Sequence, residues 1–203
     1  GPITGSSPLA LDSIERYDLD LAKANALLDA AGFKKKADGY RFDLTVIWIP
    51  SAMQKSMAEY LVPQLKKIGI KVIPRNSPDF PTWAKRMAKK DFHLAWDVVF
   101  NWGDPVIGVH RTYSSKNIRE QVWSNTQSYA NPKVDELMEK AGMATNLAER
   151  KRLYADFQKI VADELPVYWT NALPYHTVYS KKVGNPPSTI WGTSSPLDEI
   201  YLK

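Results

Sequence analysis

Three short β-forming runs, set between stretches of helical period, constrain this chain more than any other feature of its sequence. Residues 43–49 read DLTVIWI, apolar on both alternating faces and rich in β-branched side chains, the pattern of a strand covered on both sides. Ile70–Pro74 is a second, shorter strand. From residue 92 to 101, Phe92, Leu94, Trp96, Val98 and Phe100 alternate with His93, Ala95, Asp97, Val99 and Asn101, a period of two that predicts a third strand. Between these runs the period lengthens. Leu21, Ala24, Leu28 and Ala31 predict a helix over residues 18–31, with Gly32 as its left-handed cap. Ser51, with Gln54 three residues on, reads as a capping box. It opens a helix whose expected buried stripe is Met53, Met57, Tyr60, Leu61, Leu65 and Ile68, and which Gly69 ends. Pro63 lies inside it and predicts a kink or two shorter helices. Phe80, Trp83, Ala84 and Met87 give the spacing of a further amphipathic helix. Strands alternating with helices build βαβ units, so the expected fold class is α/β, a mostly parallel sheet with helices on both faces.

Two more helices are expected beyond the loop over residues 103–131. One carries Val134, Leu137, Met138 and Ala141, with Pro132 in its first turn; the other carries Leu153, Phe157, Ile160 and Val161, capped by Asn146 or Thr145 ahead of Glu149. Residues 165–171 and 176–180 read as short β-forming stretches. The tail from Gly184 is rich in Pro, Gly and Ser, as in segments that leave a domain or cross to another.

Composition narrows what such a fold is for. The 203 residues are 44% hydrophobic and 24% charged, with seven Trp and ten Tyr, enough for one sizeable core or two small ones and unlike a disordered chain. No apolar run approaches the roughly 20 residues of a membrane helix. Residues 1–8 lack the basic and apolar regions of a signal peptide, so any targeting segment is expected to have been removed or to lie outside this sequence. Cysteine is absent, which removes disulfides, thiolate nucleophiles and Cys-ligated metals. The net charge is +5 and the pI about 9.2, but the basic residues are dispersed. Lys34, Lys35 and Lys36, and the group Lys85, Arg86, Lys89 and Lys90, read as solvated faces.

The sequence contains no GxSxG, HExxH, GxxxxGK[ST] or GxGxxG motif, and its three histidines, His93, His110 and His176, lie far apart. No catalytic residue, metal site or cofactor is expected, and the chain does not read as an enzyme. What stands out is the turn Asn101, Trp102, Gly103, Asp104, Pro105, continuing to His110, Arg111, Thr112 and Tyr113. Ligands of open parallel sheets bind outside the carboxyl ends of the strands, where this turn falls. Trp102 suits a flat ligand wall. Asp104 and Pro105 serve either the site or the turn itself. Arg111 suits a substrate carboxylate or phosphate, or else a surface ion pair. Trp48, near the end of the first strand, lines the cleft or fills the core.

The succession YDLDLAKANALLDAAGF, LKKIGIKV, DFHLAWDVVFNWGDP, YANPKVDELMEKA and AERKRLYADFQKIVADELPVYW resembles the second half of family 5 extracellular solute-binding proteins, the oligopeptide and dipeptide binders. The resemblance covers residues 17–169. It implies one lobe of a type II periplasmic-binding-protein clamp that closes over a peptide or small solute and delivers it to an ABC permease. It also implies a linker from an N-terminal lobe over residues 1–17, the lobe itself over 18–183, and a returning tail over 184–203. A monomer is expected, periplasmic or held at the cell surface as a lipoprotein. In the peptide-binding relatives an aspartate of this turn pairs with the peptide's amino terminus; here Asp104 fits the recurring Asp-Pro, but the anchor position falls near Asn101. An uncharged amide there keeps opines, sugars and other solutes open beside peptides. Two other classes are weighed against this one. A nucleic-acid or anionic-polymer module needs a clustered basic face with interleaved aromatics, and nucleic acid is not an expected partner. A carboxylate enzyme on the same scaffold would depend on Asp104 or Asp97.

Overall fold

The side chains of residues 42–49 point alternately to two faces, and each face is covered. This computed structural model describes residues 1–14 and 17–203. Glu15 and Arg16, within the expected 1–17 linker, lie outside the described residues. The chain divides into two compact units, Glu15–Val99 with Thr112–Asn131, and Gly1–Ile14 with Phe100–Arg111 and Pro132–Lys203.

The first unit holds, in chain order, α1 (Leu21–Ala30), β1 (Phe42–Trp48), α2 (Ala52–Lys66), β2 (Ile70–Pro74), α3 (Phe80–Ala88) and β3 (Leu94–Trp96). The strands form a parallel sheet in the order β2-β1-β3, with Phe42 opposite Ile70 and Val46 opposite Leu94. Val46 and Trp48 pack with Ala58 of α2 and with Ile70 and Val72 of β2, joined by Leu28 of α1. Ile47 packs on the other face with Trp83 and Met87 of α3. This is the expected α/β arrangement, with both faces of the central strand removed from water.

Local chemistry sets the helix ends. The Asp20, Ser51 and Asp79 side chains accept the backbone N–H groups of Lys23, Gln54 and Thr82, satisfying donors that a helix start leaves orphaned. Gly32 and Gly69 stand at φ +87 and +80, as expected of left-handed stops.

Three expectations are corrected in part here. Pro63 lies inside α2, which runs as one helix from Ala52 to Lys66 rather than as two shorter ones. The buried face of α2 is centred on Gln54 and Ala58; Leu61, Leu65 and Ile68 of the expected stripe pack with it, while Met53 and Tyr60 are exposed. The third strand is only Leu94–Trp96, because the Asp97 carboxylate accepts the N–H of Val98 at 2.7 Å and takes a donor that a continuing strand would give to its neighbour.

In the second unit the 101–105 turn leads into a short helix, α4 (Val109–Tyr113), whose last two residues count with the first unit. The hairpin of α5 (Pro132–Met143) and α6 (Leu147–Glu164) comes next, and Asn146 caps α6 through the N–H groups of Ala148 and Glu149. Val134, Leu137, Met138 and Ala141 of α5 are buried, as their spacing predicts, against Leu153, Tyr154, Phe157 and Val161 of α6. The buried Gln158 amide ties the N-terminal segment to this hairpin, donating to the Leu9 carbonyl and accepting the Leu11 N–H, each at 3.0 Å. Leu165 ends α6 in the left-handed region at φ +45. Residues 165–171 and 176–180 carry no strand. Two-residue strands β4 (Val183–Gly184) and β5 (Tyr201–Leu202) pair antiparallel in the tail.

Candidate ligand-binding site

The 101–105 turn is built by two successive residues of positive φ, Trp102 at +49 and Gly103 at +77. Gly103 adopts this freely, whereas for an indole-bearing L-residue it costs on the order of 1 kcal/mol. The Asp104 N–H reaches back to the Trp102 carbonyl at 2.9 Å and the Ile107 N–H to the Asp104 carbonyl at 3.0 Å. Gly108 lets the following chain lie against the stem, because a Cβ there would come within 2.2 Å of the Phe100 carbonyl oxygen.

Trp102 is half-buried in a stack of rings. Phe100 lies parallel to it at 4.8 Å and Trp191, from the tail, at 5.0 Å; Tyr175 tilts onto Phe100 at 5.6 Å. Near-parallel rings at these distances contribute beyond their buried area, about 0.5–1.5 kcal/mol per pair. Ile190, beside Trp191, rests on Gly103, where an added Cβ would meet it at 2.8 Å. The tail thus docks on this turn with two consecutive side chains, and Tyr175 and Trp191 keep exposed surface.

Asp104 is engaged within the chain. Arg150 of α6 grips it with both terminal nitrogens at 3.0–3.2 Å, and the Val106 N–H donates to it at 2.9 Å. Burial works to raise the Asp104 carboxyl, but the Arg150 hydrogen bonds, the Val106 N–H and the positive charge beside it hold it below the usual carboxylate value. Arg150 also donates to the Ala141 carbonyl at 3.0 Å and lies over the Tyr154 ring at 5.7 Å. His110 Nε2 meets the Tyr154 hydroxyl at 2.9 Å. Burial pushes the His110 imidazole down to about 4, against the pull of Asp104 and with the push of Arg150.

Of the five residues singled out in the sequence, Asn101, Trp102 and Asp104 share this turn. The Asn101 amide donates to the Pro2 carbonyl at 3.1 Å. Arg111 lies in α4, half-buried. Trp48 belongs to the first unit, where it is 3% exposed in the core against α2. Sequence reasoning missed Phe100, Arg150 and Trp191. Phe100 was absorbed into the period-two run, and Trp191 sits in a Pro/Ser-rich tail with no periodicity to flag it. Arg150 carried one signal, a cation four residues before Tyr154 on the same helical face. Among the described residues no group of three or more His, Cys, Asp or Glu is placed to hold a metal, and no helix is long and apolar enough to cross a membrane.

Residues 1–120 match the bacterial extracellular solute-binding proteins, family 5 Middle. Heme-binding protein A of Haemophilus influenzae is 30% identical over 162 residues, 76% of this chain and 28% of that protein. Among solved structures, the periplasmic binding protein DppA of Helicobacter pylori in complex with the peptide STSA superposes with a TM-score of 0.70 at 24% identity, covering 81% of this chain and 31% of that one. NikZ of Campylobacter jejuni in complex with Ni(L-His) gives 0.67 at 26% identity, covering 79% and 33%. The chain therefore spans about a third of the length of these relatives, and its fold is that of the type II periplasmic binding proteins. The relatives are solute-binding proteins of the periplasm or cell exterior rather than enzymes, and family members take up peptide or small-molecule ligands together with ABC permeases. With the family match covering more than half of its residues, this chain belongs to the bacterial extracellular solute-binding proteins, family 5.

Proposed function

We propose that the chain supplies part of a substrate-binding clamp that captures a peptide or similar small solute for an ABC importer, without catalysing a reaction on it. The observation that carries this reading is the ring stack on the 101–105 turn, where Phe100 and Trp191 pack nearly parallel to Trp102 and Trp191 and Tyr175 keep exposed apolar surface. Aromatic walls with a few fixed polar groups are what a clamp of this kind offers its ligand. Within this reading residues 18–183 carry the lobe, and residues 1–17 and 184–203 connect it to the rest of a longer protein. The location is periplasmic or cell-surface, and the working form is a monomer facing a permease.

A second reading concerns the ligand. Asp104 is held by Arg150, and Asn101 is uncharged, so this turn offers no unpaired carboxylate to a peptide's ammonium group. That favours a non-peptide solute such as an opine or a sugar. The relatives span a comparable range, with a peptide in the DppA complex and a nickel–histidine complex in NikZ.

The test uses a chain of the relatives' length. Small molecules that copurify are identified by mass spectrometry, and their affinity is measured by calorimetry for the parent and for Trp102→Ala. Loss of one aromatic anchor is expected to weaken binding by roughly 10- to 100-fold. Unchanged affinity would remove Trp102, and the reading built on it, from the site.

A further inference from the structure

We propose that Arg150 is a positioning residue for the aromatic wall: its bridge to Asp104 fixes the 101–105 turn so that Trp102 stays on Phe100 and Trp191. The inference rests on the ligand-wall reading of Trp102 only for its biological meaning, since the geometry stands without a ligand.

Trp102 has a backbone conformation that costs an L-residue on the order of 1 kcal/mol, at φ +49 with Gly103 following at +77. Groups on either side of the turn hold it there. On its N-terminal side the Asn101 amide reaches the Pro2 carbonyl at 3.1 Å. On its C-terminal side the holding group is Asp104, whose carboxylate accepts the Val106 N–H and takes two guanidinium nitrogens of Arg150. A bidentate fork fixes orientation as well as distance, which a point charge does not.

Arg150 is itself immobilised. It lies in the first turns of α6, its Nε–H bonds the Ala141 carbonyl of α5 at 3.0 Å, and its guanidinium sits over Tyr154. The helical hairpin thus grips the Asp104 carboxylate through this side chain. Arg150 makes no stacking contact with Trp102, Phe100 or Trp191 among the ring contacts described, so any effect it has on them passes through Asp104 and the turn backbone.

The test reads the stack on the chain itself. Two indoles stacked at close range couple their electronic transitions and give a paired positive and negative band in circular dichroism. Trp102→Phe and Trp191→Phe assign the part of the spectrum that belongs to this pair, separating it from Trp83 and Trp123, which approach each other at 6.5 Å with a 54° tilt. In Arg150→Met that paired band is expected to fall at least about twofold while the helical signal is kept, and in Arg150→Lys, which restores the charge without the fork, to fall less. Asp104→Ala breaks the same bridge from the turn side without touching α6, and is expected to match Arg150→Met.

A paired band at full strength in folded Arg150→Met would overturn the inference. Should that variant fail to fold, a full-strength band in Asp104→Ala would do the same, as would the absence of any band assignable to Trp102 and Trp191 in the parent chain. Because no ligand enters the measurement, a Trp102→Ala variant that binds solute normally would sink the wall reading and leave this result as it stands.

Discussion

At His110 burial outweighs charge. The imidazole is flanked by Asp104, Arg150 and the Tyr154 hydroxyl and is pushed from 6.5 down to about 4, so the folded chain keeps it neutral where an unfolded chain would protonate it. Between those two values the unfolded state binds more protons, and stability therefore rises with pH. The contribution is complete above about 6.5 and is lost as the pH falls through about 4. Its full size is roughly 3 kcal/mol. Asp104 loses its own contribution only at still lower pH, below the ordinary carboxylate value. Replacing His110 with Gln is expected to flatten the acid side of the stability curve in the window between the two values, as read from urea midpoints at a series of pH values. An unchanged slope would assign the acid sensitivity elsewhere.

Arg41 shows the cost of the opposite strategy, a charge kept buried. Its side chain is 2% exposed and donates to the Ile68 carbonyl and to Asn25 Oδ1 at 2.8 Å each, to Asp29 at 2.5 Å, and to the Phe33 carbonyl. This one residue gathers the end of α1, the loop after it and the chain entering β2. Arg41→Met removes the donor from the Ile68 carbonyl and Asn25 Oδ1, while the half-exposed Asp29 turns to water, and is expected to cost about 1–3 kcal/mol in chemical denaturation. A loss under about 1 kcal/mol would mean that water replaces the guanidinium freely.

At the scale of elements, what was legible in the sequence was what is decided locally. Ser51 and Asn146 cap helices because their oxygens reach N–H groups two or three residues away, and Gly32 and Gly69 stop helices because only glycine adopts their φ without strain. The phase of α2 was only partly legible. Leu61, Leu65 and Ile68 of the expected stripe pack on the core, but Met53 and Tyr60 are exposed, and the buried face carries Gln54, whose Oε1 has no hydrogen-bond partner among the described residues. That makes Gln54→Met an expected gain of about 1 kcal/mol, since it removes an unsatisfied buried acceptor at similar volume; a lower urea midpoint would show that the amide is satisfied in solution. The ring stack and its Arg150 support were hidden for a different reason. Phe100, Arg150 and Trp191 are separated by about 40 to 50 residues at each step, and no periodicity links positions so far apart.

For the whole molecule the question is how much of a ligand's enclosure one third of the relatives' length can supply. Clamps of this type owe their affinity to burying the ligand on both sides at closure. On the proposed clamp reading, a solute lying on the ring stack with one wall only forgoes on the order of 100 Å² of apolar burial, about 2.5 kcal/mol. That difference corresponds to roughly 60- to 70-fold in Kd. Calorimetry with one solute on this chain and on a chain of the relatives' length is therefore expected to show binding at least about 50-fold weaker here. The Trp102→Ala effect should shrink in parallel, because an aromatic anchor contributes most when its neighbours exclude water around it. Equal affinities for the two lengths would mean that the 101–105 turn and the tail docked on it make up a complete site, and the clamp would then have to be assigned a different role from enclosure.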